Sequence, residues 1–196
     1  MKVLSLDCWG TLIEARPSFW QEYASIVKEV TSSGLTTEKI SGISKQVNAF
    51  YDTLSKANGV AYSQVERLYR LLLSVVSSPN SQALDKIIRS IIAGLDIAIV
   101  DGSENFIILD DKIAETLKEC KKNKQVVVLS SNTGFISGNQ TTQILRDLGL
   151  DYFDSRFYSD VIGFPKPSAM FIQEILNYYR ADGGVDRIIH IGDDNY

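Results

Sequence analysis

Four short stretches carry residues able to do chemistry together. Asp7 closes the apolar run Val3 to Leu6 and is followed by Gly10 and Thr11. Ser130, Ser131 and Asn132 follow the run Val126 to Leu129, Lys166 sits in "GFPKPS", and Asp193 and Asp194 sit in "GDDN" after Ile188 to Ile191. Carboxylates gather a hard cation such as Mg²⁺, which keeps several waters and binds substrate phosphate. An ammonium and a hydroxyl can neutralise and orient phosphoryl oxygens while a carboxylate attacks as nucleophile. Any one of these residues alone is as well explained as a helix N-cap or a satisfied core group; the four in order point to phosphoryl transfer.

Such residues act together only if the chain brings them to one edge. Val3–Leu6, Val126–Leu129, a weaker stretch at Arg156–Tyr158, and Ile188–Ile191 are continuous apolar runs, the pattern of buried parallel strands. Helical periods at Gln140–Leu148 and Ala169–Tyr179 separate the last three. Strands alternating with helices predict an α/β fold with a parallel sheet, whose ligands bind beyond the carboxyl ends of the strands. A helix from Asp110 or Asp111 to Asn123 returns the chain to the sheet.

Between the first two strands lies far more chain than one crossover needs. Four helical stripes fill it: Phe19, Tyr23, Ile26, Val27 and Val30; Ile40, Ile43, Val47, Phe50 and Leu54; Val65 to Val76; and Leu84, Ile87, Ile88, Ile91 and Leu95. Gly34, Gly59 and Ser77-Ser78-Pro79 punctuate them, which predicts a small helical bundle inserted as a cap. The stripes read as mutual core, and the lysines and arginines between them as a solvated face.

Bulk properties narrow the partners. The chain has 196 residues, 44% hydrophobic and 22% charged, near globular averages. A net charge of −4 offers no footprint for nucleic acid, and no stretch has the length and apolarity to span a membrane, so the expected partner is a small molecule. Two cysteines, Cys8 and Cys120, make neither a disulfide framework nor a zinc site, and predict a soluble cytoplasmic protein. His190, the only histidine, lies in an apolar strand and reads as a satisfied core residue.

The sequence resembles the haloacid dehalogenase (HAD) superfamily of aspartate-nucleophile hydrolases. "DCWGTL" is similar to the family's D-x-D-G-T-L/V, "VVLSSNTG" to its strand ending in Ser or Thr, "GFPKPSAMF" to its lysine motif and "IIHIGDDN" to its acidic motif. The resemblance implies a Rossmann-like three-layer sandwich from residues 1–15 and 105–196, with residues 16–104 as a helical cap. It implies Asp7 as nucleophile, with Thr11, Ser131 and Lys166 as its catalytic company. Mg²⁺ would be held by Asp7, the Trp9 carbonyl and Asp193, with Asp194 in support. Trp9, Asn132 and Trp20 are the residues expected at the substrate.

Two departures divide the functional reading. Where family phosphatases carry a second Asp, acid for the leaving group and base for water, this chain has Trp9. The fourth motif also meets Tyr196 before the family's next Asp. The leading expectation is a Mg²⁺-dependent phosphatase of a small phosphorylated metabolite. Trp9 keeps a metal-independent 2-haloacid dehalogenase in play, and both departures together a catalytically degenerate binding protein, with a homodimer paired through an exposed sheet edge.

Overall fold

The computed structural model describes residues 1–76 and 81–193. Its main sheet joins β1 (Lys2–Leu6), β4 (Val126–Ser131), β5 (Ser155–Tyr158) and β6 (Arg187–Ile191), all parallel, in the order β5-β4-β1-β6. The four apolar runs of the sequence are these four strands. Leu6 lies level with Leu129 on one side and Ile191 on the other, so the residues that follow all three strands emerge at one height.

Alternation along the strands decides the layers. Leu6, Val127 and Leu129 face one way and pack with Leu117 of α5 (Lys112–Lys122) and Ile144 and Leu145 of α6 (Gly138–Asp147). Val3 and Val128 face the other way and pack with Phe171 and Ile175 of α8 (Ala169–Tyr178). A single turn, α7 (Ser159–Ile162), follows β5. The architecture is the three-layer Rossmann-like sandwich, with a helical cap. Helix α6 starts two residues earlier than its apolar period suggests, because Ser137 and Gln140 form a reciprocal capping box.

The chain leaves and re-enters this core through a pairing that the sequence pattern does not reveal. β2 (Ile13–Ala15) runs antiparallel to β3 (Phe106–Ile108), with Ala15 opposite Phe106. Three-residue strands are too short to show a period. Asn105, buried at the end of a 3-10 turn, ties the neck further: its carbonyl accepts from Arg16 N–H, Oδ1 from Ser18 Oγ, and Nδ2 donates to Glu22 Oε2.

Beyond the neck come α1 (Pro17–Thr31), α2 (Thr37–Asn58), α3 (Gln64–Val75) and α4 (Ser81–Asp101), as the four stripes predict. Pro17 opens α1, the Thr36 hydroxyl caps α2, and Ser63 with Glu66 makes a capping box on α3. Helix α1 packs on α2 and α4, and α4 reaches α6 of the core. Gly94 permits the α1–α4 contact, since a Cβ there would lie 2.8 Å from Ile26 Cγ2. No described helix is long and apolar enough to cross a membrane.

Two expectations are corrected. Phe50 is 49% exposed, stacked under Arg70, because the buried stripe of α2 runs through Ile40, Ser44, Val47 and Ser55. His190 is bonded but not in the core: its Nδ1 lies 2.9 Å from Ser5 Oγ, yet the ring sits on β6, whose neighbours Ile189 and Ile191 are 43% and 50% exposed.

Candidate active site

Asp7 follows the central strand, and its backbone N–H donates to the Ile191 carbonyl, which holds the ends of β1 and β6 together. The turn after it is tight: Leu12 and Ile13 N–H both donate to the Cys8 carbonyl, and Gly10 takes φ +74. Asp7 is 8% exposed, and its carboxylate is divided in its contacts. Oδ1 accepts from Cys8 N–H at 2.7 Å and pairs with Lys166 Nζ at 2.8 Å. Oδ2 has no hydrogen-bond partner among the described residues.

Lys166 is 3% exposed, and burying an ammonium is tolerable only with such a partner. Its backbone is clamped by Asn132, whose Oδ1 accepts from Lys166 N–H at 2.7 Å while Nδ2 donates to the Lys166 carbonyl at 3.1 Å. Asn132 was expected at the substrate; it lines the cavity, but both ends of its amide are spent on holding Lys166.

Asp193 reaches back over the first turn. Its Oδ2 lies 2.5 Å from where a Cβ on Gly10 would stand, so any other residue at Gly10 would displace this carboxylate. Oδ1 is 3.5 Å from Thr11 Oγ1, which places Thr11 beside Asp193 and not on Asp7. Ser131 is buried at the end of β4 with Oγ 3.3 Å from the Asn132 carbonyl, and it does not line the cavity. Ser130 is committed elsewhere, 2.7 Å from Ser5 Oγ. Asp194 lies outside the described residues.

Asn132, Lys166 and Asp193 floor a cavity of about 480 Å³, while Asp7, like Ser131, is not on its lining and meets it through the Lys166 ammonium. Trp9 and Trp20 both line it, and the Trp9 indole leans on Phe106 with ring centroids 6.2 Å apart. Helices α2 and α3 supply the opposite wall through Asn48, Asp52, Ser55, Lys56 and Arg67, with Tyr62 between them. Arg67 overturns the expectation that cap cations are solvated, being only 2% exposed. Sequence reasoning missed it because an arginine beside a leucine-rich stripe reads as surface. The sole hint was Gln64 and Arg67 falling three apart on the face of Leu68 and Leu71.

Electrostatics separate the reactive groups from the inert ones. Burial, and next the Asp7 charge, push the Cys8 thiol far above its usual range, so it remains a protonated packing group. Burial and the Lys166 charge hold His190 below its ordinary value, against the opposing pull of Asp7.

A divalent cation suits the donors present. Asp7 and Asp193 are two carboxylates at one strand edge, one of them cradled on Gly10, with the Trp9 carbonyl in the same turn. Oxygen-only donors in this number match Mg²⁺, which binds through one or two carboxylates and keeps its remaining waters. Among the described residues no cluster of three His, Cys, Asp or Glu side chains forms, so a softer, fully protein-ligated metal does not fit.

Comparison with known proteins bears on the family and the fold. The sequence model of haloacid dehalogenase-like hydrolases matches residues 1–195. A search of curated proteins finds no match. Among solved structures, YfnB from Bacillus subtilis, assigned as a HAD-hydrolase and bound to magnesium, is 15% identical over 97% of this chain and 80% of its own, with a TM-score of 0.66. A predicted phosphoglycolate phosphatase from Haemophilus somnus is 14% identical over 98% of this chain and 77% of its own, with a TM-score of 0.63. A dehalogenase is 16% identical over 99% of this chain and 77% of its own, with a TM-score of 0.53. At these identities the structures share the fold.

Proposed function

Since the chain belongs to the haloacid dehalogenase-like hydrolase family, we propose that it is a Mg²⁺-dependent phosphatase of a small phosphorylated metabolite, working through an aspartyl phosphate at Asp7. The observation that carries this reading is the Asp7 carboxylate itself: Oδ1 is fixed by Lys166 and Cys8 N–H, which leaves Oδ2 unpaired at the strand edge.

In this reading Asp7 Oδ2 bonds to phosphorus as the ester P–O bond breaks. Lys166, held by Asn132, stabilises the charge on the phosphoryl oxygens, while the Ser131 hydroxyl donates to the Asn132 carbonyl and stays off the cavity lining. Mg²⁺, bound by Asp7, Asp193 and the Trp9 carbonyl, would neutralise phosphate charge and keep the anion beside the carboxylate. Trp9 supplies no proton, so the leaving alkoxide takes one from cavity water, and water then hydrolyses the aspartyl phosphate. A positioned acid or base typically contributes about 10²–10⁴-fold, so turnover here should be slow. The free thiols Cys8 and Cys120 suit a reducing, cytoplasmic setting.

Trp9 favours a second reading, since halide leaves without a proton: metal-independent dehalogenation by the same Asp7 attack. Hydrolysis of a phosphate monoester panel separates the two. The phosphatase reading expects turnover with Mg²⁺ that disappears with chelator and falls by about 10⁴-fold or more in Asp7→Asn, the scale of losing a nucleophile. Halide release from 2-haloacids that persists in chelator, with no ester hydrolysed, would replace it with the second reading.

A further inference from the structure

A short stretch of cap chain, at the start of α3, grips two core loops at once. Gln64, the first residue of α3, is 5% exposed and is not on the cavity lining. Its Nε2 donates to the Phe135 carbonyl at 2.7 Å and to Gln140 Oε1 at 2.8 Å. Three residues earlier, Ala61 N–H donates to the Gly163 carbonyl at 3.0 Å. Phe135 lies in the loop between β4 and α6, and Gly163 follows α7 on the way to Lys166.

These are the two loops that set the reactive lysine. Asn132 begins the first, and both ends of its amide hold the Lys166 backbone. Asn132 thus joins the loops from the core side, while Ala61 and Gln64 join them from the cap side. The contacts form a continuous path: Gln64 to Phe135, three residues of backbone to Asn132, Asn132 to Lys166, and Lys166 Nζ to Asp7 Oδ1 at 2.8 Å. Other groups hold the first loop nearby: Thr133 N–H donates to Ser159 Oγ at 2.9 Å, and the Thr133 carbonyl accepts from Arg67 Nη2 at 3.4 Å. Without Gln64, Gln140 would keep its bonds to Ser137 N–H and Asp96 Oδ1. The loss would fall on the Phe135 carbonyl, and so on the loop.

We propose that Gln64 is a positioning residue for Lys166: from the cap it fixes the loop 132–136, so that Asn132 holds the ammonium against Asp7. Gln64 acts through Asn132 and not on the substrate. A misplacement of about 1 Å at a reacting group can cost about 10²-fold in rate, which is the leverage such a brace has. The consequence for rate rests on the phosphatase reading; the consequence for the loop does not.

Gln64→Met keeps the length of the side chain and removes its donors. Residue-resolved amide hydrogen exchange by NMR reads the result without turnover. The Lys166 N–H, whose acceptor is Asn132 Oδ1, should exchange at least about tenfold faster, while the Val128 N–H inside β4 stays within about twofold of wild type. An unchanged Lys166 N–H overturns the proposal, and so does an acceleration shared equally by Val128, which is what a purely structural contact gives. Gln64→Asn, which keeps an amide but is one methylene shorter, should loosen Lys166 in the same way and decides the matter if Gln64→Met does not fold. With p-nitrophenyl phosphate and Mg²⁺, kcat of either variant should fall at least about tenfold with KM within about twofold. A loosened loop with kcat unchanged overturns the role in catalysis. A wild-type chain that hydrolyses no ester fails the phosphatase reading, and exchange at Lys166 still decides whether Gln64 positions it.

Discussion

On the core wall of the cavity Asn132, Lys166 and Asp193 come after parallel strands, whereas on the cap wall Asn48, Asp52, Ser55 and Lys56 lie along α2 and Arg67 along α3. The first wall is built by topology. Pairing β1 with β4 and β6 sets Leu6 level with Leu129 and Ile191, so Asp7, Asn132 and Asp193 all follow within a few residues of one height. The second wall is built by helix rotation, in which a shift of one position would exchange Asp52 for Tyr51 or Thr53. Chemistry placed on strand ends is therefore insensitive to packing detail, and recognition placed on helix faces is not.

The largest effect that sharpens this contrast is expected at Lys166. Lys166→Met leaves Asp7, 8% exposed, without its cation, and breaking a buried pair of this kind costs about 3–5 kcal/mol. Chemical denaturation should show a lower midpoint with an unchanged slope, and turnover of every ester should be lost together. Lys56→Ala on the cap wall should change stability by less than about 0.5 kcal/mol, since Lys56 is exposed. A loss at Lys56 as large as that at Lys166 would erase the distinction between the walls.

Smaller, and opposite in sign, is Trp9→Asp. A carboxyl two residues after Asp7 restores a proton donor and acceptor, so kcat for monoesters with poor leaving groups should rise by about 10²-fold, the lower end for a positioned acid. Losing the contact of the indole with Phe106 should cost stability at the same time. The rise should shrink for p-nitrophenyl phosphate, whose leaving group needs little protonation. A uniform rise across both ester types, or none, would mean that proton transfer does not limit turnover.

The legibility of the two walls in the sequence follows the same physics. Asp7, Lys166 and Asp193 are visible because each follows an apolar run or a turn signal, and the continuous runs at Val3–Leu6 and Val126–Leu129 can be little else than buried strands. The four inserted helices show in their periods. The neck of β2 and β3 does not, since three residues carry no period and its stability comes from partners far apart in sequence, Ala15 opposite Phe106. Arg67 and Asp52 are invisible for another reason. A charged residue on a helix reads as solvated until its neighbours are known, and here those neighbours come from Asn48, Tyr62 and Thr133. Asn132 shows a third case, in which the residue type was noticed but its backbone-clamping work was not.

The smallest expected effect reads the charge state of the core wall directly. His190 lies on β6 beside the Asp7–Lys166 pair, and burial first, then the Lys166 charge, hold its ring neutral to lower pH than the ordinary 6.5, while Asp7 pulls the other way. A histidine whose folded value is depressed adds stability that is fully present above 6.5 and is lost as pH falls through the folded midpoint, because the unfolded chain takes up the proton first. Proton NMR should therefore give a midpoint below 6.5 for the single histidine. Lys166→Met should raise that midpoint by removing a repelling charge, and Asp7→Asn should lower it by removing an attracting one. Substitutions on the cap wall, Asp52→Asn included, should leave it in place. A midpoint that moves with Asp52 as much as with Lys166 would mean that the two walls share one electrostatic field, and the separation drawn from their construction would not extend to their charges.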